Sequence, residues 1–143
     1  MTFVAAPVPI IVDASVAVGS LTGEEAAIVA MADWARSTAL LLVPPLFWSE
    51  TANALMRGKR IGSIDVANML RTLRRTAIDV ADRGMDGLEA ALVLAERHRL
   101  SVYDATYLWL AIDVDGELAT FDRALAKAAE AEGVPLAIEL PVP

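Results

Sequence analysis

Short, mostly apolar runs place the strongest constraint on how this chain folds. The clearest runs are Val8–Val12, Leu40–Val43 and Glu117–Thr120. Short runs without polar alternation are typical of strands that are buried on both faces of a parallel sheet. The longer segments between them repeat their apolar residues at helical spacing. The pattern therefore predicts an α/β fold in which a short, mostly parallel sheet lies between layers of helices.

Further segments complete the predicted order of elements. Two weaker strands are predicted over Ala77–Val80 and Leu136–Ile138. Helices are predicted over Glu24–Ser37, Leu46–Gly58, Ser63–Thr76, Asp86–Arg99, Ser101–Ile112 and Asp122–Glu132. In open α/β sheets, ligands bind beyond the carboxyl ends of the strands. The residues directly after each strand are therefore the first candidates for function.

Composition excludes several classes of protein. The longest uncharged stretch, Ser37–Ser49, is well short of the roughly 20 apolar residues that a membrane-spanning helix needs. The first ten residues hold two prolines and no Lys or Arg, unlike a secretory signal, so a cytoplasmic protein is expected. The absence of cysteine excludes thiolate nucleophiles and sulfur-ligated zinc. The single histidine, His98, is predicted to be a solvated surface residue, which leaves the chemistry to carboxylates.

The charges are unevenly placed along the chain. The net charge is −7, yet the segment Arg57–Arg75 holds six basic residues and a single acid, Asp65. We call these six residues the basic strip: Arg57, Lys59, Arg60, Arg71, Arg74 and Arg75. Such a strip can bind a polyanion through phosphate contacts, or it can simply be the solvated face of a helix. The charges alone leave both interpretations open.

Four acids stand out by their positions. Asp13 directly follows the first predicted strand, Asp122 closely follows a later one, Asp104 starts an apolar helix, and Glu50 lies one turn into the helix after the second strand. Each acid also has a purely structural interpretation. Asp13 and Asp122 suit helix N-caps, and Asp104 suits a capping box with Ser101. Glu50, among apolar positions, needs proton uptake, a hydrogen-bonding neighbour or a cation.

Taken together, the four acids favour a metal site. Three lie at strand ends or helix starts and the fourth follows the second strand, so all can meet at one edge of the sheet. Carboxylate oxygens without His or Cys suit Mg²⁺ or Mn²⁺, and such an ion stabilises the charge that develops during phosphodiester cleavage. Asp33, Asp113 and Asp115 have weaker positions because they lie within a helix or in a turn.

Four segments, in order along the chain, carry a resemblance to a known family. They are Val12–Ala17 (VDASVA), Val43–Leu55 (VPPLFWSETANAL), Ser101–Leu108 (SVYDATYL) and Leu118–Leu125 (LATFDRAL). Together they resemble the PIN-domain ribonucleases, specifically the VapC-like toxins of bacterial and archaeal toxin–antitoxin pairs. The resemblance covers nearly the whole chain. It implies a PIN-like three-layer α/β/α sandwich, formed by residues 1–143 as a single domain.

The resemblance also implies roles for individual residues. The acidic quartet of a metal-dependent endoribonuclease would consist of Asp13, Glu50, Asp104 and Asp122. Asp13 and Asp104 are the expected direct ligands of Mg²⁺ or Mn²⁺. Glu50 and Asp122 would complete the site, directly or through water. One of these two would orient the attacking water as general base. Ser15 and Thr120 are expected to support the metal site.

The same resemblance implies partners. The expected substrate is structured RNA, commonly tRNA or ribosomal RNA, and the expected protein partners are a VapB-like antitoxin and a second copy of the chain. Arg57, Lys59 and Arg60 follow the Glu50 helix and are expected to guide the RNA backbone. An antitoxin arginine could lie among the carboxylates. The segment Val18–Leu21, expected to form a loop that borders the site, departs from the family pattern. This departure bears on the selection of the substrate more than on catalysis.

Two alternative functions remain at this stage. One is a non-catalytic PIN-like module that binds RNA or protein, against which the intact quartet argues. The other is a phosphoryl-accepting or phosphatase-like domain built around Asp13. Such a domain would be helped by a second Asp two residues later, where this chain has Ser15.

Overall fold

The computed structural model describes residues 6–141 and shows a parallel sheet with helices on its faces. Within these residues the strands are β1 (Pro9–Val12), β2 (Leu40–Val43), β3 (Ile78–Val80) and β4 (Glu117–Ala119). The helices are α1 (Ala14–Leu21), α2 (Glu25–Arg36), α3 (Phe47–Asn53), α4 (Ser63–Arg74), α5 (Gly84–His98), α6 (Val102–Asp113) and α7 (Arg123–Ala131). A π-helical turn, Ala54–Gly58, continues α3.

The sheet has the order β3-β2-β1-β4, and each pair of neighbouring strands is parallel. Ile11 of β1 pairs with Leu42 on one side and Leu118 on the other. Ile11 and Leu118 are completely buried, as expected for strands covered on both faces. The predicted three-layer α/β/α sandwich with a short parallel sheet is confirmed. Within residues 6–141 no single helix is long and apolar enough to cross a membrane, and α1 and α2 pass that test only as a pair bent by 101°.

The segment after β1 is helical, so the predicted loop at Val18–Leu21 is wrong. Helix α1 is apolar on almost every face, which removes the periodicity that would reveal a helix in sequence. Gly19 is buried where α1 meets α2. A Cβ atom on Gly19 would lie 3.1 Å from the Glu24 Cβ and from the Phe121 ring. The glycine therefore permits close packing of α1 against α2 and the segment after β4.

The predicted final strand, Leu136–Ile138, is reduced to a single bridge between Leu136 and Leu118. Two hydrogen bonds hold it: Leu118 N–H donates to the Pro135 carbonyl at 2.9 Å, and Ala137 N–H donates to the Leu118 carbonyl at 2.8 Å. Pro135 has no N–H to donate to a ladder. Pairing therefore cannot extend toward the residues before Leu136, and the segment meets β4 at one point rather than as a strand.

His98 is not the solvated surface residue that the sequence predicts. Its side chain is only 14% exposed, and its Nε2 lies 2.9 Å from Glu132 Oε2. Arg97 donates from Nη1 to the same carboxylate at 2.9 Å. The hydrogen bond with His98 is the main reason why the pKa of Glu132 is lowered. The histidine therefore has a structural role, in which it joins the end of α5 to the residue that follows α7.

Candidate active site

Asp13 lies at the point where β1 passes into α1. Its backbone N–H donates to the Ala119 carbonyl at 2.9 Å, which extends the pairing of β1 with β4. Its side chain is 3% exposed, and Oδ2 accepts hydrogen bonds from Ser15 Oγ at 2.7 Å and from Thr120 Oγ1 at 2.8 Å. Although Asp13 occupies the N-cap position of α1, its side chain makes no capping hydrogen bond. The N-cap interpretation therefore does not explain this carboxylate.

The hydroxyl groups of Ser15 and Thr120 connect Asp13 to the turn after β4. Ser15 Oγ accepts a hydrogen bond from Phe121 N–H at 3.0 Å, and Thr120 Oγ1 accepts one from Asp122 N–H at 3.0 Å. Each hydroxyl thus donates to the carboxylate and accepts from the backbone. The two residues predicted to support the site lie directly against its most buried acid.

Asp122 is the N-cap of α7, as its structural interpretation predicts. Its Oδ1 accepts a hydrogen bond from Leu125 N–H at 2.9 Å. The residue is exposed, and its charge is nevertheless close enough to raise the pKa values of Asp13 and Asp104. Asp122 therefore combines a capping role with a place among the four acids.

Asp104 lies in the first turn of α6, whose N-cap is Ser101. Ser101 Oγ accepts a hydrogen bond from Asp104 N–H at 3.0 Å, which is the serine half of the predicted capping box. The Asp104 residue is half-buried. Burial, followed by the charges of Asp13 and Asp122, raises its pKa to about 6.

Glu50 lies in the first turn of α3 and faces α6. Its Oε1 accepts a hydrogen bond from the Tyr107 hydroxyl at 3.2 Å. Tyr107 is completely buried, and its pKa is raised, first by burial and then by the charge of Glu50. Sequence reasoning missed this tyrosine. The available signal was its spacing, because a residue three positions after Asp104 lies on the same face of the helix.

The four acids form a concentration of negative charge beyond the carboxyl ends of β1 and β4. Burial is the largest cause of the raised pKa of Asp13. Burial, then the charges of Asp13 and Asp104, raises the pKa of Glu50 to about 7. Across residues 6–141, no Lys, Arg or His forms an ion pair with any of the four. Two other acids, Asp33 and Asp113, are paired with arginines instead. The structure therefore brings the predicted quartet into electrostatic contact.

The donor set suits a hard divalent cation held with few protein ligands. In the part of the chain that the structure describes, no three Asp, Glu or His side chains lie close enough to form a metal-binding cluster. Mg²⁺ in nucleotide-processing sites is usually held by one or two carboxylates, several waters and substrate phosphates. Carboxylate oxygens around the buried Asp13 fit that type of coordination.

A cleft of about 320 Å³ opens beside Glu50. We call it the Tyr103 cleft; its lining residues are Leu46, Ser49, Glu50, Asn53 and Tyr103. Tyr103 precedes Asp104 in the first turn of α6 and is 64% exposed. This cleft could not be predicted from local sequence patterns, because its walls come from helices far apart in the chain.

The basic residues predicted to contact RNA follow α3. Arg57 lies in the last turn of the π-helical segment, and Lys59 and Arg60 lie in the segment before α4. All three are exposed. π-Helical turns are frequent at functional sites. The structure thus places these cations on an accessible surface of the segment that follows the Glu50 helix.

The fold and the acidic edge together define a class of protein. The PIN domain family model matches residues 10–131, a range that contains all four acids, and the chain belongs to the PIN domain family. The resemblance stated from sequence is therefore confirmed.

The solved structures that are similar to this chain include the following two. PAE2754 from Pyrobaculum aerophilum is 27% identical, with a TM-score of 0.65, covering 85% of this chain and 79% of that one. VapC20 from Mycobacterium tuberculosis, described as a sarcin–ricin loop cleaving toxin, is 20% identical, with a TM-score of 0.68, covering 83% of this chain and 94% of that one. The second similarity shows a shared fold. No curated protein sequence shows a significant match to this chain.

Proposed function

We propose that this chain is a metal-dependent endoribonuclease that hydrolyses phosphodiester bonds in structured RNA and acts as the toxin of a toxin–antitoxin pair. The observation that carries the proposal is the convergence of Asp13, Glu50, Asp104 and Asp122 in a PIN domain. Like charges held together away from water destabilise a protein unless a cation compensates them. Such an arrangement is therefore typical of a site that binds an ion.

We assign Asp13 and Asp104 as the residues that hold Mg²⁺ or Mn²⁺. When bound, the ion supplies Lewis-acid chemistry: it polarises a phosphoryl oxygen and lowers the pKa of water. Ser15 and Thr120 fix the Asp13 carboxylate through the hydrogen bonds given above.

Glu50 is a better candidate for the general base than Asp122. Its Oε1 is held by Tyr107, and a carboxylate with a pKa near neutrality is well matched to accept a proton from water. Asp122 completes the site while its Oδ1 caps α7.

We further propose that Arg57, Lys59 and Arg60 contact RNA phosphates. They are exposed, whereas the chain as a whole carries a net charge of −7. Changing Arg57 and Arg60 to Gln removes two cations. For two phosphate contacts on single-stranded RNA, the negative slope of log K against log salt becomes shallower by about 1.4. Fluorescence anisotropy across a salt series measures that slope. Lys127→Gln, an exposed change on α7, is the matched control, and an unchanged slope in the double variant contradicts the assignment.

The proposed partners follow from the same family. A VapB-like antitoxin would inhibit the toxin by placing an arginine among the carboxylates, a charge-assisted contact that the negative edge favours. Inhibition that survives removal of the antitoxin's basic residues would contradict this. A homodimer is the proposed oligomeric state, and the cytoplasm is the proposed location.

The test is cleavage of total cellular RNA by the purified protein with Mg²⁺ or Mn²⁺. The comparison includes an EDTA control, Asp104→Asn, and the matched control Asp33→Asn, which neutralises an exposed acid that is paired with Arg36. The proposal expects discrete products that are lost with EDTA and in Asp104→Asn but retained in Asp33→Asn. Products that persist in Asp104→Asn refute the assigned site. RNA binding without cleavage, in protein free of antitoxin and with confirmed metal binding, favours the non-catalytic module.

A further inference from the structure

Tyr103 is an aromatic residue whose presence is not explained by packing in the core. It lies in the first turn of α6, a helix whose next tyrosine, Tyr107, is completely buried. Tyr103 is 64% exposed, so its ring contributes little burial to stability. An exposed aromatic ring beside a charged site is typical of a surface that binds a ligand. Tyr103 lines the same cleft as Glu50, which places it beside the acidic site.

The remaining walls of the Tyr103 cleft offer hydrogen-bonding groups and one apolar side chain. Asn53 and Ser49 are exposed, and the Asn53 amide carries both donors and an acceptor. Leu46 contributes apolar surface, and Glu50 belongs both to the cleft and to the acidic quartet. The volume of about 320 Å³ lies at the small end of the range of about 300–1,000 Å³ for small-molecule sites. The cleft therefore suits one flat, polar-edged group rather than an extended helix.

We infer that the Tyr103 cleft is a subsite for one unpaired nucleobase, which stacks on the Tyr103 ring and hydrogen-bonds to Asn53. The inference rests on the proposed ribonuclease function and narrows its substrate class. A base can enter such a cleft only when it is unpaired, as in a loop or bulge of a structured RNA. Because Glu50 is shared, a nucleotide with its base in the cleft has its phosphate close to the acids.

The test measures RNA affinity without cleavage. A fluorescein-labelled short single-stranded RNA, and the same strand annealed into a duplex, are titrated by anisotropy in EDTA. The variants are Tyr103→Ala, Tyr103→Phe and Asn53→Ala, with Val29→Ala as an exposed control on α2. Because Tyr103 is exposed, its variants are expected to fold, which circular dichroism checks.

The inference expects Tyr103→Ala to weaken single-strand binding by about 5- to 150-fold, as for the loss of one stacked base. Tyr103→Phe keeps the ring and retains affinity, Asn53→Ala weakens binding less than Tyr103→Ala does, and duplex binding stays unchanged. Equal affinity of wild type and Tyr103→Ala for the single strand overturns the subsite, as does equal weakening for the duplex. Absence of RNA binding by the wild type also overturns it.

The outcome is separable from the proposed function. Cleavage with Mg²⁺ that is lost in Asp104→Asn, together with unchanged binding in Tyr103→Ala, leaves the ribonuclease and removes the subsite. Weakened single-strand binding in Tyr103→Ala without any cleavage by the wild type leaves the subsite and removes the ribonuclease.

Discussion

At the scale of single residues, the fold holds the Asp13 carboxylate in an environment that disfavours its charge. Its carboxylate is buried, and two hydroxyl donors only partly offset the effect of burial on its pKa. In the absence of a cation the ionised form therefore destabilises the folded state. The same environment favours any divalent ion that restores the lost solvation.

Asp13→Asn is expected to raise the melting temperature in EDTA at pH 8 while abolishing cleavage. The amide oxygen can still accept from Ser15 and Thr120, and the buried negative charge is gone. Each kcal/mol gained corresponds to a rise of about 4 °C for a domain of this size. Differential scanning fluorimetry measures the change, with Asp33→Asn as the control that stays near the wild type. A melting temperature below that of the wild type would contradict the electrostatic account.

At the residue scale, the position of an acid relative to a strand was enough to locate it from sequence. Asp13 and Asp122 were placed because parallel strands end at the same edge of a sheet. The positions of Tyr107 and Tyr103 beside Glu50 were missed because they depend on how α6 lies against α3. His98 was misjudged because its partner, Glu132, belongs to a distant part of the chain. Local pattern carries no information about such contacts.

At the scale of elements, the pairing of α5 with α6 depends on a glycine. Gly87 is buried, and a Cβ atom there would lie 2.6 Å from the Arg83 Cβ and 2.8 Å from Cζ3 of Trp109. Neither neighbour can move away cheaply, because one is adjacent to backbone and the other belongs to a large ring that is partly buried. The close approach of the two helices therefore requires the missing side chain.

Gly87→Ala is expected to destabilise the protein by about 1–3 kcal/mol, because overpacking outweighs the gain in helix propensity. Chemical denaturation measures the free energy of unfolding. The control is Gly58→Ala, since no atom lies within 4 Å of a Cβ at that position and its φ is not positive. A stabilised Gly87→Ala variant would show that α5 and α6 can separate without cost.

Most elements were predictable, and the two exceptions have physical causes. Strands β1 to β4 and helices α2 to α7 follow from apolar runs and helical periodicity. Helix α1 was not predicted because it is apolar on almost every face, so its two serines do not mark a helical period. The prediction of the last strand was wrong because Leu136–Ile138 makes a single bridge to β4, and propensity does not show how far two segments run side by side.

At the scale of the whole molecule, the acidic edge makes stability depend on pH. The folded-state pKa values of Glu50, about 7, and Asp104, about 6, lie above their ordinary values of 4.5 and 3.8. Between these limits the folded state binds more protons than the unfolded state, so stability falls as pH rises through this range. Glu132 has the opposite effect on stability, because its pKa is lowered in the folded state. Its contribution to stability is present above its ordinary pKa of 4.5 and is lost as the pH falls below that value.

In EDTA the melting temperature is therefore expected to be higher near pH 5.5 than at pH 8. Saturating Mg²⁺ should raise the value at pH 8 most, since a cation favours the ionised carboxylates. Glu50→Gln should reduce the difference between the two pH values, whereas Glu89→Gln, an exposed change on α5, should not. Thermal melts across pH provide the measurement, and a melting temperature that rises with pH over this range would contradict the assignment.

The proposed homodimer has a candidate surface on α5. Met85, Leu88 and Leu92 are 65%, 40% and 47% exposed and lie on one face by their spacing. Leu92→Glu is expected to convert a dimer to a monomer in light scattering coupled to size exclusion. Ile64→Glu changes an exposed residue on α4 and should leave the dimer intact. A monomeric wild type, or a dimeric Leu92→Glu, would contradict this surface.

That residues 1–143 form one domain stays a prediction, but the strand order has a consequence for how the protein is made. Strand β4 pairs with β1, and Thr120 and Asp122, which complete the surroundings of Asp13, follow it. During translation the first strand leaves the ribosome long before its partner has been synthesised. The acidic edge is therefore complete only after β4 and the turn that holds Thr120 and Asp122 have been synthesised and have left the ribosome.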